Sequence, residues 1–435
     1  MKLFSEDLVS NVAKELHITD VANATIGEVL LLAQTLETRT GLPFIRMDQG
    51  SPGLPANVIG REAEKKAVDA GVGSQYPAAA GIPELKEAAS KFVKAFMNLE
   101  MPPRDFLPTV GSVAASYGSF LVTTQLSKQK DTVLFIDPGF PIQKSQLRII
   151  GAKWESFDVQ AYRGEALKKK LEAFLLKGNI AAIVYSNPNN PAWICLQESE
   201  LQIIGELATA YDTIVLEDLA YFCMDYRKSL GKPFEAPYPP TVARYTDNYI
   251  LMLSASKIFS YAGQRIALAC ISDKLFDRHY PLLAERYDDA GIFGSTFIAS
   301  IMYMITSGVT HTTQYAMAEM LRQSVEGKID FVCDTTAYRD HASKMIQIFK
   351  DNGFYVTYDK DLDLDVEGGF FFTVGYPGLT SGQLMQELMY YGVSSISLST
   401  TGAERQGIRG CTSRMREELY PAMEERMKEF RKDHP

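Results

Sequence analysis

Long hydrophobic runs are missing from this chain of 435 residues. No uncharged apolar stretch approaches the ~18 residues of a transmembrane helix, so no membrane-spanning role is expected. Cysteine is sparse and unpatterned. Cys195, Cys223, Cys270, Cys333 and Cys411 are odd in number, form no CxxC pair and share no zinc spacing with histidine. Free thiols in a reducing compartment follow, and with them a cytoplasmic protein. His17, His279, His311, His341 and His434 are equally dispersed, so no metal site is expected. Positive charge is in deficit. A net charge of −9 argues against nucleic acid as the main partner, because phosphate binding needs a basic face. It leaves room for a local basic pocket that holds a small anion. The first residues carry Glu6, Asp7 and Glu15 where a signal peptide has its apolar core, so no leader is expected. Internal repeats and low-complexity segments are absent too.

The remaining balance, 46% hydrophobic and 22% charged residues, supports a large core. The length exceeds one small domain, which leaves two interlocked domains or one large domain with an appendage. Helical and strand patterns alternate through the middle of the chain, and that alternation predicts an α/β fold with a mainly parallel sheet. Strands are expected at 131–136, 153–157, 180–185, 213–216, 249–253 and 266–271. Helices are expected at 5–40, 58–70, 85–97, 164–176, 197–211, 274–289, 295–307 and 330–352. After residue 352 the pattern turns to α+β, with short strands at 355–358, 369–374, 394–398 and 407–412, a helix at 381–391 and a charged helix from 414. These read as a smaller second domain, to which the N-terminal segment returns.

Strand after strand ends in polar or aromatic groups: Phe140, Asn190, Asp218 with Tyr221, and Ser254 to Lys257. In an open α/β sheet the ligand site lies beyond the carboxyl ends of the strands, so these groups converge on one crevice. Turn chemistry alone accounts for an Asn at such a place. It accounts poorly for Asp218, an acid between the apolar residues 213–216 and Leu219-Ala220, which needs a cationic partner if it is half buried. Lys257 lies in a polar loop between two apolar strands, with Arg265 eight residues on. Taken alone, such a lysine belongs to a surface loop. Its apolar flanks give the other reading, a lysine whose neutral, nucleophilic form is favoured. Thr109 to Ala115 lead small residues into a helix. That start suits an anion, through free N–H groups and the helix dipole, or is a plain Ser N-cap.

Together the crevice offers a Lys for an aldehyde, an Asp for a protonated ring nitrogen, an aromatic ring for stacking, and a helix start with Arg265 for a phosphate. Those needs belong to pyridoxal 5'-phosphate. Nearly the whole chain resembles, in order, the class I/II, aspartate-aminotransferase-like enzymes of the major pyridoxal-phosphate fold. Ser254-Ala255-Ser256-Lys257 with Arg265 resembles the family's Schiff-base lysine and its phosphate-binding Ser and Arg. Glu217-Asp218-Leu219-Ala220-Tyr221 resembles the D-x-x-Y motif, Asn190-Pro191 the N-P-T-G motif, and Phe140 the stacking aromatic. Gly111-Ser112-Val113 resembles the phosphate-cradling helix start. Gly50 resembles the glycine loop over the substrate, and Arg409 the clamp for the substrate α-carboxylate, a task for which a bidentate Arg is suited. Arg405 and Arg414 are its rivals. Tyr76, with Gly81, Pro83 and Leu85, resembles the segment whose Tyr reaches the phosphate of the neighbouring subunit, which implies a homodimer with shared sites. Ala192-Trp193 stands where the family has Thr-Gly, and a bulky Trp there narrows the pocket or moves the loop. His311 lies on a loop that resembles the family's dimer-crossing loop.

The resemblance implies a large domain with a mainly parallel seven-stranded sheet flanked by helices, at 62–325, and a smaller α+β domain from 1–61 and 326–435. It implies an aminotransferase that moves an amino group between an L-amino acid and a 2-oxo acid through Lys257, or else a lyase or decarboxylase with the same cofactor. Which amino acid arrives is not written in these motifs.

Overall fold

The structure is a computed structural model that describes residues 2–435. The N-terminal segment holds α1 (Glu6–Glu15) and α2 (Ile26–Thr40). The single helix expected over 5–40 is interrupted because Asp20 and Thr25 each take the cap of a new turn. Asp20 accepts from the N–H of Ala22, and Thr25 forms a capping box with Glu28. The chain continues through α3 (Val58–Asp69) and α4 (Pro83–Met97). Then it lays down a seven-stranded sheet: β1 (Phe106–Thr109), β2 (Thr132–Asp137), β3 (Lys153–Asp158), β4 (Ile180–Ser186), β5 (Ile214–Leu219), β6 (Tyr249–Ser254) and β7 (Ala267–Ile271). Between the strands lie α5 (Gly111–Thr123), α6 (Pro141–Ile150), α7 (Glu165–Leu175) and α8 (Glu198–Ala210).

The strand order is β1-β7-β6-β5-β4-β2-β3. Strands β3, β2, β4, β5 and β6 run parallel, and β7 runs antiparallel to both β6 and β1. This is the expected seven-stranded, mainly parallel α/β sheet. Strand β1 escaped the sequence reading because Pro108 sits inside it. It is an edge strand, where a missing N–H is tolerated. Successive residues pack on opposite faces. Val133, Phe135, Val184, Leu216 and Met252 join one core with Phe120 of α5, while Leu134, Ile136, Ile183, Val215 and Leu251 join the other with Phe92 of α4. Burial on both faces explains why these strands read as unbroken apolar runs.

A third core draws on Phe4, Val12, Leu32 and Met47 from the N-terminal segment and on Met345, Phe372, Leu388 and Phe430 from the C-terminal part. Its antiparallel sheet has β8 (Tyr355–Val356), β9 (Phe371–Gly375), β10 (Ile396–Ser397) and β11 (Ile408–Cys411), in the order β10-β11-β9-β8. The strand expected over 394–398 is two short pieces. Val393–Ser394 pairs in parallel with Ile45–Arg46, whereas β10 pairs with β11. The helix expected over 330–352 breaks at Thr335, whose hydroxyl bonds back to the carbonyl of Phe331. The terminal helix starts at Tyr420 rather than 414, with Pro421 in its first turn. The expected boundary at 61/62 falls inside α3, where Gly60 lies against Met320 of the helix His311–Val325. We therefore propose a division just ahead of α3 and just after Val325. Among the described residues no helix is long and apolar enough to cross a membrane, and all five cysteines are free.

One buried ion network joins these parts. Arg163 bonds Glu200 at 2.7 and 2.8 Å and Asp361 at 2.8 Å. Asp361 also accepts from Arg227 and from the N–H of Cys195, both at 2.9 Å. Removing one member of such a network leaves buried charge uncompensated. Asp361→Ala should therefore cost about 3 kcal/mol in urea unfolding, with Asp361→Asn intermediate. A loss below ~0.5 kcal/mol would show the network to be idle.

Candidate active site

The carboxyl ends of β1, β2, β4, β5 and β6 share one edge of the sheet, since Ser186 pairs with Asp218, Leu219 with Leu253, and both Ser254 and Thr109 with Ala267. A cavity of about 880 Å³ opens there. Gly50, Ser112, Val113, Phe140, Asn190, Asp218, Tyr221, Ser254, Lys257, Arg265 and Arg409 all line it. Gly111 lies directly behind, against Arg265. Five cations (Lys144, Arg148, Lys257, Arg265, Arg409) face one carboxylate, Asp218, in a chain of net charge −9. The deficit of positive charge over the whole chain thus hides a local basic pocket.

Lys257 sits on the one-turn helix Ala255–Ile258 that follows β6, capped by Ser254, whose Oγ accepts from the N–H of Ser256 at 3.2 Å. The Lys257 Nζ donates to the carbonyl of Gly50 and lies 4.9 Å over the ring of Phe370. No carboxylate neutralises it among the described residues. Burial, helped by the positive charges of Arg409 and Arg265, lowers its pKa to about 8. Asp218 is the penultimate residue of β5. Its Oδ1 accepts from the N–H of Ala220 at 3.1 Å and its Oδ2 from Gln143 Nε2 at 3.2 Å. These bonds do not offset its burial, which raises its pKa to about 6.

Arg409, on β11, is 2% exposed. Its Nη2 donates to the carbonyl of Asp48 at 2.6 Å, its Nη1 to Asn190 Oδ1 at 3.4 Å, and its guanidinium lies 4.5 Å over Phe371. Its Nε has no partner. Burial lowers its pKa as well. Burial pushes the Tyr221 hydroxyl well up. The rival arginines lie elsewhere. Arg405 bonds the carbonyl of Thr357 at 2.9 Å, and the exposed Arg414 reaches only Gln49, at 3.0 Å.

The start of α5 settles one open alternative. Its N-cap is Val110, with no side-chain cap, so Ser112 does not cap it and the first N–H groups remain free. Gly111 has φ 73°, and a Cβ there would run into the Arg265 guanidinium. Only glycine fits this cradle. Trp193 neither lines nor narrows the cavity. It is 4% exposed with φ 61° and packs from behind on Tyr221, 5.4 Å away, and Phe371, 6.5 Å away. Tyr76 is 86% exposed on the loop ahead of α4, outside this chain's cavity. His311 also lies outside, its Nδ1 2.9 Å from the carbonyl of Val72.

Several lining or supporting groups carry no motif in the sequence. Gln143 sits three residues after Phe140, one turn along α6, and helical spacing could have found it. Phe370 and Phe371 read only as strand residues. Asn23, Thr25 and Ile26 come from the turn into α2, where no motif marks them.

The layout is an α/β fold with a mainly parallel sheet and a basic cavity at the sheet's carboxyl edge. The sequence pattern described as "Aminotransferase class I and II" matches residues 46–425, and the chain belongs to that family. It is 28% identical over 233 residues to a probable aspartate aminotransferase of Methanocaldococcus jannaschii, covering 53% of this chain and 58% of that protein. It is 25% identical over 292 residues to an asparagine–oxo-acid transaminase of Streptococcus mutans, covering 66% and 67%. Matches to the first curated relatives span about half to two thirds of those proteins' length. Among solved structures, Thermus thermophilus aspartate aminotransferase superposes with a TM-score of 0.74 at 19% identity, over 96% of this chain and 98% of that one. An alanine aminotransferase from Pyrococcus furiosus gives 0.74 at 19%, over 97% and 99%. At these identities the superpositions establish the fold.

The Asp218 environment has a measurable sign. Its folded-state pKa, about 6, lies above the ordinary 3.8, so the folded chain holds this proton more tightly than the unfolded one. The resulting stabilisation is fully present below about pH 4 and lost as pH rises towards 6. Cofactor-free Asp218→Asn should therefore be more stable than the parent at pH 7, by on the order of 2 kcal/mol, with the gap closing below pH 4. A gap that does not change between pH 4 and pH 7 would contradict this environment.

Proposed function

We propose that the chain is a pyridoxal-phosphate-dependent aminotransferase that moves the amino group between an L-amino acid and a 2-oxo acid. The observation that carries this reading is a pairing across one cavity. A half-buried lysine has a weakened hold on its proton, and a buried carboxylate has a strengthened one.

The residues fit the cofactor part by part. The uncapped start of α5, the Gly111 cradle, Ser254 and Arg265 would hold the phosphate. Phe140 would stack on the ring, and Asn190 and Tyr221 would meet its phenolic oxygen. Asp218 would take the ring nitrogen, whose proton relieves the cost of a buried anion. When bound, pyridoxal phosphate supplies an aldehyde for amine exchange and a protonated ring that withdraws electrons from the substrate Cα.

The chain's own groups do the rest. Arg409 offers its unpartnered Nε, with an Nη beside it, to the substrate carboxylate. Gly50 and Phe371 close over it, and Phe371 and Phe370 keep water from the two cations. The Lys257 amine would take the Cα proton. A pKa of about 8 leaves it a base near neutrality, where an ordinary lysine is almost fully charged. Relatives named for aspartate and asparagine support amino transfer while differing in substrate. The exposed Tyr76 fits a homodimer in which it reaches the neighbouring phosphate. Unpaired cysteines fit a cytoplasmic enzyme.

Lys257 is open to a chemical test. Protein loaded with pyridoxal phosphate, reduced with borohydride and digested should carry the label on the peptide containing Lys257. Lys257→Ala should carry none. Arg265→Ala should still be labelled, but with cofactor affinity weakened roughly tenfold or more. A label on another lysine, or no label at saturating cofactor, would contradict the proposal.

A further inference from the structure

A buried charge relay stands directly behind Arg409. Asp48 is fully buried, and Arg46 grips its carboxylate with Nε to Oδ1 at 2.9 Å and Nη2 to Oδ2 at 2.7 Å. The Ser394 hydroxyl adds a bond to Oδ1 at 2.7 Å. Arg46 is steadied in turn by Glu37 of α2, 3.1 Å from its Nη1, and by the carbonyl of Leu30 at 3.5 Å. Asp48 therefore shows Arg409 only its backbone carbonyl. Two residues on, the carbonyl of Gly50 holds Lys257, so one short strap touches both Arg409 and Lys257.

The arrangement withholds an obvious partner. Arg409 is buried, its Nε is unpartnered, and among the described residues no carboxylate lies within ion-pair distance of it. Asp48 is the one carboxylate whose charge is felt there. A buried carboxylate left without a cation is strongly unfavourable and takes the nearest one available. Arg409, which already bonds the Asp48 backbone and feels its charge, is the cation on offer there once Arg46 is removed.

We propose that Arg46 is a positioning residue that engages both oxygens of Asp48, and so keeps Arg409 open for the substrate carboxylate. Without it Asp48 becomes an internal competitor for the same guanidinium. This rests on the reading of Arg409 as the carboxylate site. Sequence motifs pass over it, because Arg46 and Asp48 sit in a two-residue strand and a loop start with no chemistry of their own.

The test uses cofactor-loaded protein and maleate, a dicarboxylate without an amino group, with binding measured by calorimetry. Arg46→Gln should weaken maleate binding roughly tenfold or more. Adding Asp48→Asn to it should bring affinity back to within about threefold of the parent, because the competitor has lost its charge. Arg46→Lys keeps the charge without the fork and should give a smaller loss. Paired with Asp48→Asn, it serves for the same comparison if Arg46→Gln does not fold. A double variant as weak as the single, or an Arg46→Gln protein that binds like the parent, would overturn the proposal. A parent protein that binds maleate no better than Arg409→Ala would instead overturn the reading of Arg409 on which it rests.

Discussion

Desolvation of charge at one edge of the sheet is the constraint on which the rest depends. Asp218 and Arg409 are buried and Lys257 is half-buried, and none has an opposite charge in contact. A fold tolerates that only where large cores elsewhere offset it and a ligand relieves it. The two layers of apolar side chains on either face of the seven-stranded sheet supply the offset. The unmet needs describe the ligand: a cation for Asp218, a carboxylate for Arg409, a carbonyl for Lys257.

Strands and a capped turn set these groups, and the loop at 48–50 bonds two of them. Asp218 and Arg409 lie within strands, Lys257 on a capped turn directly after a strand. Supporting groups are similarly fixed. Gln143 stands on α6 behind Asp218, and Trp193 stands behind Tyr221 and Phe371. Arg409, Phe371 and residues 49–51 line the cavity opposite the groups at the ends of the large sheet's strands, so the proposed division would pass through it. The Arg163–Asp361–Arg227 network ties the hairpin at 360–365 to the large sheet.

Much of this was legible in the sequence, for physical reasons. Strands buried on both faces are apolar throughout, so β2, β4, β5 and β6 stood out, and their polar ends marked the cavity edge. The cavity lining includes eleven of the residues that those ends and the family motifs suggested. Strand β1 was hidden by Pro108, and the breaks at Asp20 and Thr335 by hydroxyl and carboxyl side chains that bond locally to the backbone. The Arg46–Asp48 pair could not be read, since it depends on Ser394 and Arg409, more than 340 residues away. Trp193 reads from the sequence as either narrowing the pocket or moving the loop. Its left-handed backbone turns it the other way, which residue type alone does not reveal.

The fate of the amino nitrogen tests the account most directly. The cofactor-loaded protein would be given a panel of ¹⁵N-labelled L-amino acids with a 2-oxo acid, and the products examined by mass spectrometry. Amino transfer puts ¹⁵N in the newly formed amino acid, with the donor converted to its own 2-oxo acid and no free ammonia. Ammonia and an oxo acid formed without an acceptor, or carbon dioxide with an amine, would contradict amino transfer.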